Sequence, residues 1–413
     1  MAERGLDVIV IGAGIVGLGI AWTAARSGRT VAVIDPEPAS GATYAAAGML
    51  APVSEVHYQE EDLLELTLAS AAVYPAFVES LGAGAALVGY RTTRTITVGA
   101  DSADRQSLAD LSEVQRGHGL MVQQLSIREA RALEPLLSPQ LSSAYNIDQD
   151  HQIDPRRLAA QLRSAIDRVA SRDKWTHVHA IRQNAVGLLH EYPADATSRV
   201  TGVTLADGST VAADEVIVAN GLAAGQLDGL PDWLTLPVRP VYGDILRLRI
   251  PERLRPLVTA TVRGLVRGIP VYLVPRDDGT IVLGATQRED GSTAVSAGGV
   301  HQLLRDAQIL VPAVAELELI EATARARPGT PDNAPLLGRI AHSLDRPNED
   351  IPGLIIATGF FRHGVLLTPI AAEHCLQLLD GTADNRWERF RPDRFSTPTS
   401  PMPSAPHPEG AHP

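Results

Sequence analysis

The residues of this chain best suited to chemistry lie near its N-terminus, where 12–17 read GAGIVG and match the spacing GxGxxG. They follow an apolar run at 8–11. They precede a helical pattern of small residues and a second apolar run at 30–34 that ends at Asp35. This order of strand, glycine turn, helix, strand and acid is that of a βαβ unit that binds the phosphates of a dinucleotide. The motif therefore predicts a phosphate-bearing cofactor and redox chemistry.

Each part of this motif has a physical task. Gly12 permits the tight turn out of the first strand, and Gly14 lacks the Cβ that would keep the backbone away from a pyrophosphate. Gly17 allows the helix to pack closely on the sheet, and the helix start offers free N–H groups and a positive dipole end. A carboxylate at Asp35, about 20 positions after Gly14, accepts hydrogen bonds from ribose hydroxyls and repels the 2′-phosphate of NADP. The alternative is a chance match in a loop, which the neighbouring strands and helix disfavour.

Composition sets limits on the class of protein. At 413 residues with 45% apolar side chains, the chain is long enough for two domains. Its net charge of −12 argues against nucleic acid or an anionic membrane as a partner. The sole cysteine, Cys375, excludes a disulfide within the chain and fits a cytoplasmic location, and no Cys/His cluster has metal-ligand spacing. The uncharged residues 8–25 contain four glycines, so we interpret them as folded domain rather than signal peptide or membrane span.

Hydrophobic periodicity predicts helices and strands along the rest of the chain. The predicted helices span residues 61–80, 105–118, 126–133, 155–170, 299–309 and 368–379. The predicted strands span residues 90–99, 176–181, 200–213 (a hairpin with its turn at Asp207-Gly208), 215–219, 237–250, 262–274, 280–286 and 355–357.

The order of these elements predicts an α/β fold, in which a discontinuous Rossmann-type domain carries an inserted antiparallel β-sheet domain of α+β character. The nucleotide-binding domain is assigned residues 1–85, 145–225 and 320–382, and the inserted substrate-binding domain residues 86–144 and 226–319. Residues 396–413 hold six prolines and almost no large apolar side chain, which predicts a disordered tail.

Five segments, in order along the chain, resemble one known family. They are GAGIVGLG at 12–19, GATYAAAGMLAP at 41–52, YLVPRDDGTIVLGAT at 272–286, RARPGTPDNAPLLG at 325–338 and ATGFFRHGVLLTP at 357–369. Together they resemble the D-amino-acid oxidase superfamily of flavoproteins, and within it the glycine oxidase branch of the ThiO type, which is linked to thiamine biosynthesis. The resemblance covers nearly the whole chain apart from the tail.

The resemblance implies a non-covalently bound FAD, because Cys375 lies away from the position at which a related branch attaches its flavin. Around the pyrophosphate and adenosine it places Gly12, Gly14, Ile15, Val16, Gly17, Asp35 and Pro36, with the backbone of Val178 at the adenine. Along the flavin and around its isoalloxazine ring it places Ala42, Thr43, Ala47, Gly48, Met49, Phe360, Phe361, Arg362, His363, Gly364, Val365 and Leu366. The helix after Gly364 is implied to direct its positive dipole end at the reduced flavin.

The resemblance also implies a substrate site. Arg327 matches the arginine that grips the substrate carboxylate through two parallel donors, a geometry that guanidinium favours. Arg362 matches a second arginine at the substrate mouth, and Tyr272 a tyrosine that lines the pocket, although a tyrosine in a strand is otherwise usually a core residue. Arg325 is a nearby alternative, but only Arg327 directly precedes Pro328 in the motif.

Two residues of the implied pocket depart from the glycine oxidase pattern. Gln287 stands where the family has a methionine, and Pro270 stands where it has a histidine. We therefore expect a more polar wall on one side of the pocket. The substrate stays open among glycine, sarcosine and small D-amino acids.

The function implied by the resemblance is oxidation of a small amino acid or amine, with hydride transfer from Cα to flavin N5. O2 is the expected acceptor, H2O2 the by-product, and the imine the precursor for the thiazole of thiamine. A homo-oligomer is implied as well, tetramers being common in the family. Three alternatives stay open: a flavin-dependent D-amino-acid or sarcosine-type dehydrogenase with a non-oxygen acceptor, a nucleotide-binding regulator without turnover, and an NAD-linked dehydrogenase.

Overall fold

The computed structural model describes residues 5–82, 84–172 and 178–396. The predicted tail, 396–413, lies outside these residues apart from Ser396, and so does the predicted start of a strand at residue 176. The helices are α1 (Ile15–Arg26), α2 (Ala42–Ala45), α3 (Glu61–Ser80), α4 (Ser102–Gly117), α5 (Ile127–Leu133), α6 (Pro155–Arg172), α7 (Ala297–Leu310) and α8 (Gly364–Asp380).

The strands, in chain order, are β1 (Leu6–Ile11), β2 (Val31–Ile34), β3 (Met49–Leu50), β4 (Thr95–Gly99), β5 (Gln123–Leu125), β6 (Ser143–Ile147), β7 (His151–Gln152), β8 (Val178–Ile181), β9 (Ala185–His190), β10 (Val200–Leu205), β11 (Thr210–Val218), β12 (Arg239–Arg249), β13 (Thr261–Val266), β14 (Ile269–Pro275), β15 (Thr280–Gly284), β16 (Glu318–Gly329), β17 (Leu336–Gly338), β18 (Ala341–Ser343), β19 (Arg346–Asp350) and β20 (Leu354–Thr358).

One sheet is built mainly from parallel strands. Its order is β17-β20-β11-β1-β2-β8, in which only the edge strand β17 runs antiparallel to its neighbour, and β9 and β10 extend β11 as an antiparallel pair. Helices α1, α3, α6 and α8 pack together over it around an apolar cluster that includes Leu18, Ile217 and Leu367. A parallel sheet covered by helices is the Rossmann-type arrangement, so this part of the predicted fold is confirmed.

The second sheet is antiparallel except for one parallel pair, β4 with β13. Its order is β16-β12-β15-β14-β13-β4-β6-β5. Helices α5 and α7 contribute to the apolar cluster on one side of this sheet, which includes Ile96, Ala130, Leu246 and Leu303. The predicted mixed fold, with a parallel and an antiparallel sheet, is thereby confirmed.

Two of the predicted domain boundaries cut through strands of the antiparallel sheet. β6 crosses the boundary predicted at residue 145, and β16 crosses the boundary predicted at residue 320. β16 pairs with β12 from Glu318 to Gly329, so the whole strand belongs to the antiparallel sheet. Local sequence did not show this, because the sheet that a strand joins is decided by its pairing partner. The division into domains otherwise stays a prediction.

The carboxyl ends of four parallel strands meet at one edge of their sheet. Residues 12–14, 35–41, 219–220 and 359–363 follow β1, β2, β11 and β20 respectively. Ligands of open α/β sheets bind outside this edge. The fold therefore brings the glycine motif, the acidic residue after β2 and the loop before α8 to the same place.

Two glycines of the motif are required by close backbone contacts. Gly12 has a φ of 101°, and a Cβ there would lie 2.6 Å from the carbonyl oxygen of Ala219. A Cβ at Gly17 would lie 2.0 Å from the carbonyl oxygen of Gly12. Helix α1 thus crosses the turn too closely for any side chain at Gly17.

Helix α8 begins one turn earlier than the sequence predicts, at Gly364 rather than Thr368. The prediction placed Pro369 in the first turn, where proline is favoured, but Pro369 lies inside the helix. Because proline has no N–H, the carbonyl oxygen of Val365 lacks its helical donor. The hydroxyl of Tyr74, from α3, donates to this oxygen at 3.1 Å and so compensates for the proline.

Replacing Gly17 with Ala tests the close crossing of α1. The added methyl group has no room, so we expect the free energy of unfolding to fall by about 1–3 kcal/mol, together with weaker retention of the cofactor. Gly117→Ala is the matched control, since a Cβ there meets no atom within 4 Å. Thermal unfolding of the two purified variants measures the difference, and equal melting temperatures would contradict the close crossing.

Candidate active site

A cavity of about 1090 Å³ lies between the carboxyl edge of the parallel sheet and the antiparallel sheet. Its volume is slightly above the range typical of small-ligand sites. The predicted site residues that line it are Gly12, Gly14, Ile15, Val16, Asp35, Pro36, Ala42, Thr43, Ala47, Gly48, Met49, Tyr272, Gln287, Arg327, Phe360, Phe361, Arg362, Gly364 and Val365.

Three other predicted site residues lie behind the cavity wall. Gly17 packs α1 on the glycine turn, and Leu366 is buried in α8, where its carbonyl oxygen accepts from the Ser70 hydroxyl at 2.6 Å. His363 is the N-cap residue of α8 and is buried. Val178 pairs through its backbone with Val31 of β2, and its side chain lies outside the described residues.

One end of the cavity is formed by the start of α1 and by Asp35. The N-cap residue, Gly14, provides no side-chain cap, and the N–H of Ile15 donates to the Thr43 hydroxyl at 2.9 Å. The N–H groups of Val16 and Gly17 in the same turn are left to bind a phosphate. Asp35 accepts from the N–H groups of Ala13 at 2.6 Å and Glu37 at 2.8 Å. An ionised carboxylate has about four acceptor positions, so Asp35 retains positions for ribose hydroxyls.

Asn220, which follows β11, provides a further indication of a polar ligand. It lines the cavity, and its Oδ1 is buried without a hydrogen-bond partner among the described residues. Leaving a buried acceptor unpaired costs free energy, which a ligand donor would remove. The start of α1, the carboxylate of Asp35 and this free amide oxygen together fit a dinucleotide such as FAD.

The other end of the cavity contains Arg327, from β16, with its guanidinium group against the backbone of Gly243. In the part of the chain that the structure describes, no carboxylate lies within 4.0 Å of this guanidinium group. Tyr272, from β14, lies beside it: burial raises the pKa of Tyr272, and the charge of Arg327 opposes that rise. A cation without an acidic partner next to a hydroxyl donor is suited to binding a ligand carboxylate.

Arg325, the neighbouring alternative, is placed differently. It is exposed, and its guanidinium group donates to the carbonyl oxygen of Ser40 at 2.9 Å and lies 5.6 Å from the ring centre of Tyr44. Its N–H groups are thus directed at the loop that contains Ser40. Arg327 is the better placed of the two for a ligand.

Arg362 lines the cavity, but it differs from Arg327 because it has acidic partners. Its guanidinium group binds the carboxylate of Glu60, and its Nε lies 3.9 Å from Glu55. Glu60 also accepts from the side-chain amide of Asn333 at 2.8 Å. A direct role of Arg362 in holding a substrate carboxylate therefore stays a prediction.

Two further charged residues at this end were not predicted from the sequence. Arg263, from β13, and Glu55 both line the cavity and form an ion pair in which both side chains are largely buried. Burial raises the pKa of Glu55, but Arg263 and its other cationic neighbours outweigh this and lower it to about 2. One available signal was that Glu55 lies three residues after the end of the small-residue segment 42–52. An arginine within an otherwise apolar strand was another.

Gln287 and Pro270 both line the cavity. Gln287 follows β15 and is exposed, so its amide can reach water as well as the cavity. A role for these two residues in substrate choice stays a prediction.

Cys375 is fully buried in α8, and burial raises the pKa of its thiol to about 12. It does not line the cavity.

Within the described ranges, no group of three or more His, Cys, Asp or Glu residues could hold a metal ion. Those ranges also contain no helix with both the length and the apolar character needed to cross a membrane.

Comparison with known proteins decides the family. Residues 7–378 match the model of the DAO family, described as FAD dependent oxidoreductase. The chain belongs to this family. Its cofactor is therefore FAD, as the sequence predicted, and the protein is an FAD-dependent oxidoreductase.

Individual relatives agree with this assignment. The chain is 32% identical to a glycine oxidase of Geobacillus kaustophilus over 369 residues, which cover 88% of this chain and 90% of that protein. It is 31% identical to the bifunctional protein ThiO/ThiG of Synechocystis sp. over 96% of this chain, and spans 55% of that longer protein. The crystal structure of the glycine oxidase from Geobacillus kaustophilus matches with a TM-score of 0.81 at 29% identity, over 95% of this chain and 99% of that one.

A buried arginine of this oxidoreductase holds the loop that is predicted to line the flavin. Arg276, directly after β14, is 7% exposed and donates to the carbonyl oxygens of Ala47 and Ile153. The N–H of Ile153 in turn donates to the carbonyl oxygen of Gly48 at 2.8 Å. Burial lowers the pKa of Arg276 to about 10, so the group remains charged at neutral pH. The antiparallel sheet thus fixes the position of the loop through Arg276.

Replacing Arg276 with Met tests this arrangement. The change leaves two buried carbonyl oxygens without their donor, at a cost of about 1–3 kcal/mol for each, so we expect a lower melting temperature and weaker FAD binding. Titration of the apoprotein with FAD and thermal unfolding measure the two effects. Arg253→Met is the control, since Arg253 is 64% exposed on the surface beside Glu316. FAD affinity equal to that of the wild type in a folded Arg276→Met variant would contradict the proposed role of Arg276 in holding the loop.

Proposed function

We propose that this enzyme oxidises glycine or another small amino acid or amine at its Cα–N bond, with O2 as acceptor and H2O2 as by-product. We further propose that the imine product serves formation of the thiazole of thiamine, in line with the resemblance to the ThiO type. The similarity to a glycine oxidase over most of both chains supports the reaction. The chemistry of the cavity's substrate end supports the class of substrate.

The observation that carries the proposal is the unpaired charge of Arg327 beside Tyr272. A planar guanidinium group binds a carboxylate through two parallel hydrogen bonds, and the Tyr272 hydroxyl can add a third. Held in this way, an amino acid has its carboxylate fixed and its Cα directed along the cavity. Fixing the orientation of the reacting carbon is a large part of the catalytic advantage available to such a site.

When bound, FAD supplies the acceptor for the hydride that leaves Cα and passes its two electrons to O2. With glycine, the balanced reaction converts glycine, O2 and water into glyoxylate, ammonia and H2O2. The amine must be neutral before its lone pair can form the imine, and the positive charge of Arg327 favours the neutral form in the bound substrate. Burial and the charge of Arg362 lower the pKa of His363 to about 3, so this histidine is neutral at neutral pH and adds no competing charge.

Mixing the purified holoenzyme with amines tests the proposal. Glycine, sarcosine and D-alanine are mixed with it in the absence of air, and at least one of them is expected to bleach the flavin absorbance. In air, the same amine should yield H2O2 in step with O2 consumption. A yellow protein that no amine bleaches would refute amine oxidation. Bleaching followed by reoxidation with a quinone but not with O2 would instead identify a dehydrogenase.

Replacing Arg327 with Ala tests the carboxylate site directly. Loss of a buried charge-assisted pair should raise the Kd of the best substrate by about a hundredfold, while FAD remains bound. Arg325→Ala is the matched control, because that arginine contacts Ser40 and Tyr44 and should change substrate affinity little. The role assigned to Arg327 would be wrong if its variant lost FAD but, once reconstituted, bound substrate normally.

A homo-oligomeric state and a cytoplasmic location are further proposals that follow from the resemblance and from the composition. Size-exclusion chromatography with light scattering measures the first of them.

A further inference from the structure

The substrate end of the cavity carries more charge than one substrate carboxylate requires. Arg263, Arg327 and Arg362 all line it, and the acids near them are Glu55 and Glu60. Glu60 is bound by Arg362, and Glu55 is bound by Arg263. Arg327 is the member of this set left without a carboxylate among the described residues. A single carboxylate from the substrate therefore balances the charges of this end.

We propose that Arg263 is a second anion-binding position that Glu55 occupies permanently as an internal carboxylate, so that the enzyme selects substrates with one carboxylate and rejects those with two. This inference rests on the proposed function, since it specifies the substrate class of the same site. Glu55 and Arg263 are thereby specificity-determining residues of the cavity.

The position of Arg263 brings it within reach of a substrate held at Arg327. Arg263 on β13 is paired in register with Tyr272 on β14. Cβ atoms of directly opposite residues are about 4.5–5.5 Å apart, and both side chains line the cavity. The charges of both Arg327 and Arg263 act on the Tyr272 hydroxyl. A small substrate that contacts Tyr272 therefore lies close to both guanidinium groups.

Glu55 is well suited to block the guanidinium group of Arg263. Its side chain is 11% exposed and that of Arg263 is 14% exposed, so little water screens the pair. With its pKa lowered to about 2, Glu55 is ionised throughout the neutral range. Separating a buried ion pair leaves both charges uncompensated, which strongly opposes the entry of a competing carboxylate.

A second carboxylate on the substrate therefore meets a negative charge instead of a free cation. Glycine, sarcosine and D-alanine present one carboxylate and match the free charge of Arg327. Iminodiacetate presents the same secondary amine as sarcosine, but with a carboxylate in place of a hydrogen of the N-methyl group. The comparison of these two amines isolates the effect of charge from that of N-substitution.

The test is the ratio of kcat/KM for iminodiacetate to kcat/KM for sarcosine in the holoenzyme and its variants. The wild type should have a low ratio. Glu55→Gln removes the negative charge and frees Arg263, and should raise the ratio by about tenfold or more. Glu55→Asp keeps the charge and should keep the ratio low. The double variant Glu55→Gln with Arg263→Gln also removes the second cation. Its ratio should therefore be as low as that of the wild type.

Glu316→Gln is the control variant, since Glu316 forms an exposed pair with Arg253 and should leave the ratio unchanged. Thermal unfolding and flavin absorbance establish that each variant is folded and carries FAD. An unchanged ratio in folded Glu55→Gln would overturn the proposal, and so would a wild type that oxidises iminodiacetate as well as sarcosine.

Binding of unreactive anions keeps the proposal testable if Glu55→Gln does not fold. Flavin difference spectra of the wild-type holoenzyme should show tighter binding of acetate than of malonate, which has a second carboxylate. Tighter binding of malonate would overturn the proposal. The proposed function itself fails if glycine, sarcosine and D-alanine all leave the flavin oxidised, and the comparison of acetate with malonate still decides the inference in that case.

Discussion

The candidate site depends on the positive charge of Arg327, which has no acidic partner among the described residues. Moving a guanidinium group out of water is costly unless an opposite charge accompanies it, and the described residues place no carboxylate within 4.0 Å of it. Two neighbouring arginines that line the cavity do have acidic partners, Arg263 in Glu55 and Arg362 in Glu60. This is why we propose that the partner of Arg327 is the carboxylate of a ligand.

One face of β16 both positions Arg327 and joins the two sheets. Residues at alternate positions of a strand share a face, and on this face Glu321 binds Arg156 of α6 while Arg325 contacts the carbonyl oxygen of Ser40. Arg327 is the next residue on the same face and ends in the cavity. The contacts that fix β16 against the parallel-sheet part of the chain thus also set the distance between Arg327 and the cofactor end of the cavity.

Sequence predicted the parts of the site that are local in the chain. The glycine turn and Asp35 lie within one βαβ unit, so spacing alone indicates their roles. The start of α8 was predicted wrongly because the hydrogen bond that tolerates Pro369 comes from Tyr74, 291 residues from the Val365 carbonyl that accepts it. The pair of Glu55 and Arg263 spans 208 residues and could not be found without the fold. Two predicted domain boundaries fall inside β6 and β16 for the same reason, since strand pairing is not local.

The features that are local in the sequence and those that are not belong to two different ends of the cavity. The cofactor end is formed by short motifs at the carboxyl ends of parallel strands, where backbone N–H groups and one acid suffice to bind a dinucleotide. The substrate end is formed by side chains from β13, β14, β16 and the segment after Met49, which meet only in the folded chain. If Glu55 blocks Arg263 as we propose, one substitution at this end changes which ligand charge the cavity accepts and leaves the cofactor motifs intact. Choice of substrate can therefore change without any change in fold or cofactor.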